Sequence, residues 1–196
     1  MGKIKSAWEI ALEKTEGIEI DKDKFRYSEN VNKARRIAGA YLTGDETDTE
    51  KLRKELEAVD EKARKEALTA SVLSSLSLPQ DEVVDNRFEK TKTLASIASG
   101  NDPDVMGLLA ELTEFLMQYP KHRKDLVEKM KEQFRPVLEE KEAKLRAQYG
   151  QDVHIAPETD KEFVEIATKN LERLEAQYDA TLQNAKKQLK VLLDRN

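Results

Sequence analysis

From Val164 to Leu192 small and apolar residues recur in steps of three and four, and this ladder limits what the chain can become. Val164, Ala167, Leu171, Leu174, Tyr178, Leu182, Ala185, Leu189 and Leu192 fall along one side of a helix. Alternating threes and fours mark a coiled-coil seam, and the doubled four from Leu174 through Tyr178 to Leu182 inserts an eleven-residue phase that relaxes left-handed supercoiling. A capping box of Thr159 and Glu162 opens this helix, which can run almost to Asn196. At 1.5 Å per residue it is on the order of 50 Å long. A rod of that length cannot bury its seam on itself, so it needs an antiparallel mate from the same chain or from a second copy.

The segment 121–149 is the expected mate. Val127, Met130, Phe134, Leu138, Leu145 and Tyr149 trace a stripe, Pro120 suits a helix start, and Gly150 stops it. Pro136 removes the amide that would bond the Glu132 carbonyl, which predicts a kink.

Between residues 18 and 119 four helices are expected. Tyr27, Val31, Ala34, Ala38 and Tyr41 place one over about 23–42, and Thr47 with Glu50 caps a long helix running through Leu76 to a stop at Pro79. Its second half carries Ser71, Ser74, Ser75 and Ser77, read as small residues for close helix packing. A helix over 80–99 follows. Asp102 and Pro103 then cap and begin another, whose Val105, Leu108, Leu109, Leu112, Phe115 and Leu116 cover most of its circumference and make it the central core helix.

Ser6 and Glu9 cap a short amphipathic helix ending at Gly17, with Ile4, Trp8 and Leu12 on one side. These three are the candidate partner-docking face. The expected organisation is therefore an N-terminal helix over 1–17, a helical body over 18–119 and a long antiparallel hairpin over 120–196. The fold class is all-α, an elongated bundle with a coiled-coil-like hairpin.

Composition narrows function. Charged residues make up 37% of the 196-residue chain against 38% hydrophobic, which suits helices with much exposed surface. The net charge is −5 with both signs interspersed, so nucleic acid is not the default partner. No cysteine is present, which removes disulfides and thiolate chemistry and fits a reducing compartment. No apolar run approaches the length of a membrane span.

Candidate chemistry is sparse. His122 and His154 lack helical metal-ligand partners. Glu111, Glu114 and Gln118 form a polar strip on the central helix, which reads as its solvated side in preference to an acid/base pair. Lys33, Arg35 and Arg36, and Lys121, Arg123 and Lys124, are short basic clusters, and the second is the candidate patch for RNA or a ribonucleoprotein. No catalytic residue, metal or cofactor is implied.

The run from Lys3 through Trp8 to Thr15, KIKSAWEIALEKT, resembles the opening of an uncharacterised family of small bacterial helical proteins. The resemblance implies a bacterial, cytoplasmic setting and carries no activity. The expected function is a non-enzymatic helical interaction or scaffold protein, with a homodimer through the hairpin as one form and an RNA-associated factor as the alternative.

Overall fold

The computed structural model of the chain describes residues 21–44, 48–80 and 86–195, among which there is no strand. Seven α-helices are described: α1 Lys22–Thr43, α2 Thr49–Glu57, α3 Glu61–Ser75, α4 Arg87–Ser99, α5 Pro103–Met117, α6 Tyr119–Tyr149 and α7 Lys161–Arg195, with a 3-10 turn at Pro157–Thr159. The fold is all-α, as expected. The N-terminal helix with Ile4, Trp8 and Leu12 lies outside the described residues.

Aspartate starts most of these helices. Asp21, Asp48 and Asp60 each accept a hydrogen bond from the amide three residues on, at 3.0–3.1 Å. Asp102 accepts from the Asp104 and Val105 amides, and Asp160 from those of Glu162 and Phe163. Each such cap is worth about 1 kcal/mol. Three expectations change here. The cap of α2 is Asp48, where Thr47 was expected. The cap of α7 is Asp160, one residue beyond Thr159. The single helix expected from Glu50 to Leu76 is two helices, because the Asp60 carboxylate takes up the Ala63 amide and starts α3 afresh. The corner lets Leu52, Leu56 and Val59 all turn into the core.

Helices α3, α4, α5 and the C-terminal half of α7 close a four-helix bundle in which each packs on the next and α7 returns to α3. Neighbours run antiparallel. The Ser75 hydroxyl lies 2.8 Å from that of Thr91, joining the end of α3 to the start of α4. Arg195 reaches Asp104 at 2.9 Å, and Lys65 donates to the Asp194 carbonyl, which fixes the end of α7 beside the starts of α5 and α3. The core holds Leu68, Val72, Leu94, Leu109, Leu116, Leu182, Leu189 and Leu193.

Outside this bundle α1 lies along α3, where Ala34 and Ala38 meet a helix whose Ala63 and Ala67 are also fully buried. Small residues on both sides allow the close approach. The serines of α3 fit the same scheme, since Ser71, Ser74 and Ser75 turn their hydroxyls back onto backbone carbonyls of their own helix.

Helix α6 and the N-terminal half of α7 leave the bundle together as a two-helix arm. Their second, smaller core contains Met130, Phe134 and Leu138 from α6 and Phe163 from α7. Helix α6 is continuous through Pro136. The body and hairpin read from the sequence thus share α7, because its residues from Leu182 to Leu193 belong to the bundle core. The segment 121–149 is the mate of α7 only towards its N-terminal half.

Val164 requires a correction. It was expected on the buried seam and is 44% exposed, whereas its neighbour Phe163 is 3% exposed and packs on Phe134. One residue turns the side chain by about 100° on an α-helix, so Phe163 faces α6 and Val164 looks past it.

Candidate functional site

The arm is rooted in a group of rings. Tyr178, 5% exposed, stacks on Phe115 with centroids 4.5 Å apart and meets Tyr119 edge-on at 5.1 Å. Its hydroxyl is 2.5 Å from His122 Nδ1. These residues come from α5, the first turns of α6, and α7 at the point where α7 passes from bundle to arm. Burial pushes the Tyr178 phenol up from its ordinary pKa, and burial followed by the nearby Glu175 carboxylate does the same at Tyr119. Both phenols therefore stay protonated at neutral pH. His122 therefore has a phenolic partner and holds no metal ligand set, and among the described residues no cluster of metal-binding side chains occurs.

Beyond the root, α7 presents two lines of side chains. Phe163 and Ala167 pack in the arm core, and Asn170 and Leu174, at further steps of three and four, continue that line and are half-buried. A second line follows the face that α3 and α5 cover in the bundle. Leu192, Leu189, Ala185, Leu182 and Tyr178 continue through Glu175 to Leu171, Thr168, Val164 and Lys161 in unbroken steps of three and four. In the arm this line is more open to solvent than it is in the bundle. Leu171 is half-buried, while Thr168 and Val164 are exposed. Of the nine expected seam residues, then, Tyr178, Leu182 and Leu189 are buried, Ala167, Leu171, Leu174, Ala185 and Leu192 are half-buried, and Val164 is exposed. Leu193, fully buried, was missed although it lies one turn beyond Leu189.

Ion pairs fold the return segment onto the tip. Lys141 bridges Asp160 at 2.7 Å and Glu162 at 3.1 Å, Lys131 bridges Glu158 and Glu128, and Arg146 meets Asp152 at 2.5 Å. Glu142 accepts from the Ile155 amide at 2.7 Å and lies 2.9 Å from His154 Nδ1. The Lys141 ammonium holds the Asp160 carboxyl below its ordinary range, helped by the Phe163 amide. The Ile155 amide acts likewise on Glu142, and Lys131 on Glu158. Val153–Ile155 is thus a return strip anchored to α6 through Glu142.

The remaining candidates are dispersed. Lys121, Arg123 and Lys124 are exposed on the first turns of α6, where Lys121 and Lys124 are neighbours one turn apart and Arg123 lies about 100° from Lys124, a patch of three cations on one side of the helix. Glu111, Glu114 and Gln118 are all exposed along α5. An open cleft of about 910 Å³ lies between α1 and the corner from α2 to α3, with Asp23, Glu29 and Asp60 set among Arg26 and Lys62. Its mixed charges favour no single ligand sign. Among the described residues no helix is long and apolar enough to cross a membrane.

No curated protein and no solved structure matches the chain. Residues 50–191, which run from α2 through both the bundle and the arm, match the Family of unknown function (DUF6657). The resemblance noted at residues 3–15 lies outside this match. On the strength of a match spanning most of its length, the chain belongs to the Family of unknown function (DUF6657).

Proposed function

We propose that the protein is a non-enzymatic interaction protein whose arm docks helices of a partner while the four-helix bundle holds it in place. The observation that carries this reading is the line Leu171, Thr168 and Val164, an apolar and small-residue edge that continues the bundle-facing side of α7 and is exposed at Thr168 and Val164. A two-helix arm with four buried side chains in its core offers such an edge readily, because two helices alone cannot cover each other's full apolar width. Helix-in-groove recognition uses anchors at this spacing. The resemblance of residues 3–15 supports a bacterial, cytoplasmic setting.

The test is affinity capture from native cells with the wild-type chain and with Val164→Glu combined with Leu171→Glu. Both chains should melt at similar temperatures, since Val164 is exposed and Leu171 half-buried in the arm. The proposal expects the captured proteins to be lost with the variant. Equal recovery from both chains would remove it.

A further inference from the structure

An ammonium withdrawn from water without a partner is costly, so the lysines of a helical bundle that are not fully exposed should each be engaged. Among the described residues Lys65, Lys90, Lys92, Lys131 and Lys141 are buried or half-buried. Each has its partner. Lys65 donates to the Asp194 carbonyl and Lys90 to that of Gly44, while Lys92, Lys131 and Lys141 pair with Glu89, Glu158 and Asp160. Lys186 breaks the pattern. It is half-buried on the bundle half of α7, and no hydrogen bond or ion pair engages it.

Its position explains the burial. Leu182 lies one turn before it and Leu189 and Leu193 one and two turns after, and all three are buried in the bundle core. The stem of Lys186 therefore runs along the rim of the covered face, and its amine is partly withdrawn from water without being closed off. That withdrawal disfavours the ammonium and pushes its pKa down from the ordinary lysine value. Asp179, two turns earlier, opposes the shift with the smaller effect, and its carboxylate also accepts from the Gln183 amide at 3.1 Å. A lysine that gives up its proton more readily is the better nucleophile. Beyond it on the same helix come Lys187, exposed, and Lys190, paired with Asp194. A reagent with an anionic leaving group thus meets cations beside the amine.

We propose that Lys186 is a modification site, an amine that takes an acyl group from an acyl phosphate. The neutral Nζ attacks the acyl carbon, the C–N bond forms as the bond from that carbon to the phosphate oxygen breaks, inorganic phosphate leaves, and the surplus proton passes to water. The product is a neutral amide. It removes the one half-buried ammonium that the fold leaves uncompensated, so acylation here favours the folded bundle. This site stands apart from the docking edge of the arm and does not depend on it.

The full chain treated with acetyl phosphate near neutral pH tests the proposal, with acylation at each lysine followed in time by peptide mass spectrometry. Lys186 should react several-fold faster than its exposed neighbour Lys187 and than the paired Lys190. In urea, where the burial is lost, the three should react alike. Lys186→Arg should remove the fast phase and leave the slow reactions unchanged. Lys186→Met keeps the stem without the charge, and should raise the urea midpoint of the folded chain. A rate at Lys186 equal to or below that at Lys187, or a preference that persists in urea, would overturn the proposal. A lower midpoint for Lys186→Met would do so as well, since it would mean that the ammonium is stabilised where it lies.

Discussion

The Tyr178 hydroxyl lies 2.5 Å from His122 Nδ1, which ties the first turn of α6 to α7 at the residue where α7 leaves the bundle. The ring of Tyr178 does the larger part of the work, since it is buried between Phe115 and Tyr119. Tyr178→Phe keeps the stack and removes one hydrogen bond, so it should cost about 0.5–1.5 kcal/mol in urea unfolding. Tyr178→Ala removes a buried ring and should cost about 3–5 kcal/mol, the range for large aromatic truncations. Equal losses for the two variants would mean that the hydroxyl, and not the ring, secures the root.

Acid should loosen the arm before the bundle. Glu140, Glu142, Glu158, Asp160 and Glu165 all have carboxyls held below their ordinary range, and all lie in the arm. A carboxyl with a depressed folded pKa contributes stability that is present above its unfolded value, about 3.9 for Asp and 4.3 for Glu. That contribution is lost as pH falls through the lower folded value. Amide resonances of residues 152–165 should therefore shift towards disordered positions in this acid window while those of α3 to α5 hold. Asp160→Asn should flatten the response, and added salt should weaken the part carried by the exposed pairs of Glu140, Glu158 and Glu165. A simultaneous change in bundle and arm would count against a separately stabilised tip.

Pro136 sits exposed inside α6 and leaves the Glu132 carbonyl without its helical donor. Pro136→Ala should restore that bond and raise the stability of the arm by roughly 1–3 kcal/mol. Hydrogen exchange at the amides around 132–140 should slow accordingly. Faster exchange in the variant would show that proline's fixed φ is worth more here than the missing bond.

Much of this fold is legible in the sequence, and the limits have physical causes. The starts at Asp102 and Pro103, the helix start at Pro120 and the stop at Gly150 come from local chemistry, and the structure has each of them, with Tyr119 already helical and the interruption at Gln118. The corner at Asp60 has a local cause too, but no glycine or proline marks it and the apolar spacing of Leu52, Leu56 and Ala63 runs on through it. The ladder in α7 was harder. Its doubled four at Tyr178 is the residue at which the helix changes partners, from α6 to α3 and α5. Spacing alone registers a phase shift there and cannot say that two different surfaces lie on either side. For the same reason it does not distinguish Phe163 from Val164 as the residue facing α6. That choice depends on where α6 lies, which is a tertiary fact. The exposed line along the arm was legible only in part, because Thr168, Glu175 and Lys161 are polar and join it only once the covered face of α7 is known.

Native-state hydrogen exchange along α7 tests the central claim most directly, namely that one helix serves a closed bundle at one end and an open arm at the other. The amides from Leu182 to Leu193 should exchange in the slowest class together with those of Leu68, Val72 and Leu109, through global unfolding. Those from Val164 to Leu174 should exchange much faster, through opening of the arm alone. A single slow class along the whole of α7 would contradict the division of this helix between bundle and arm.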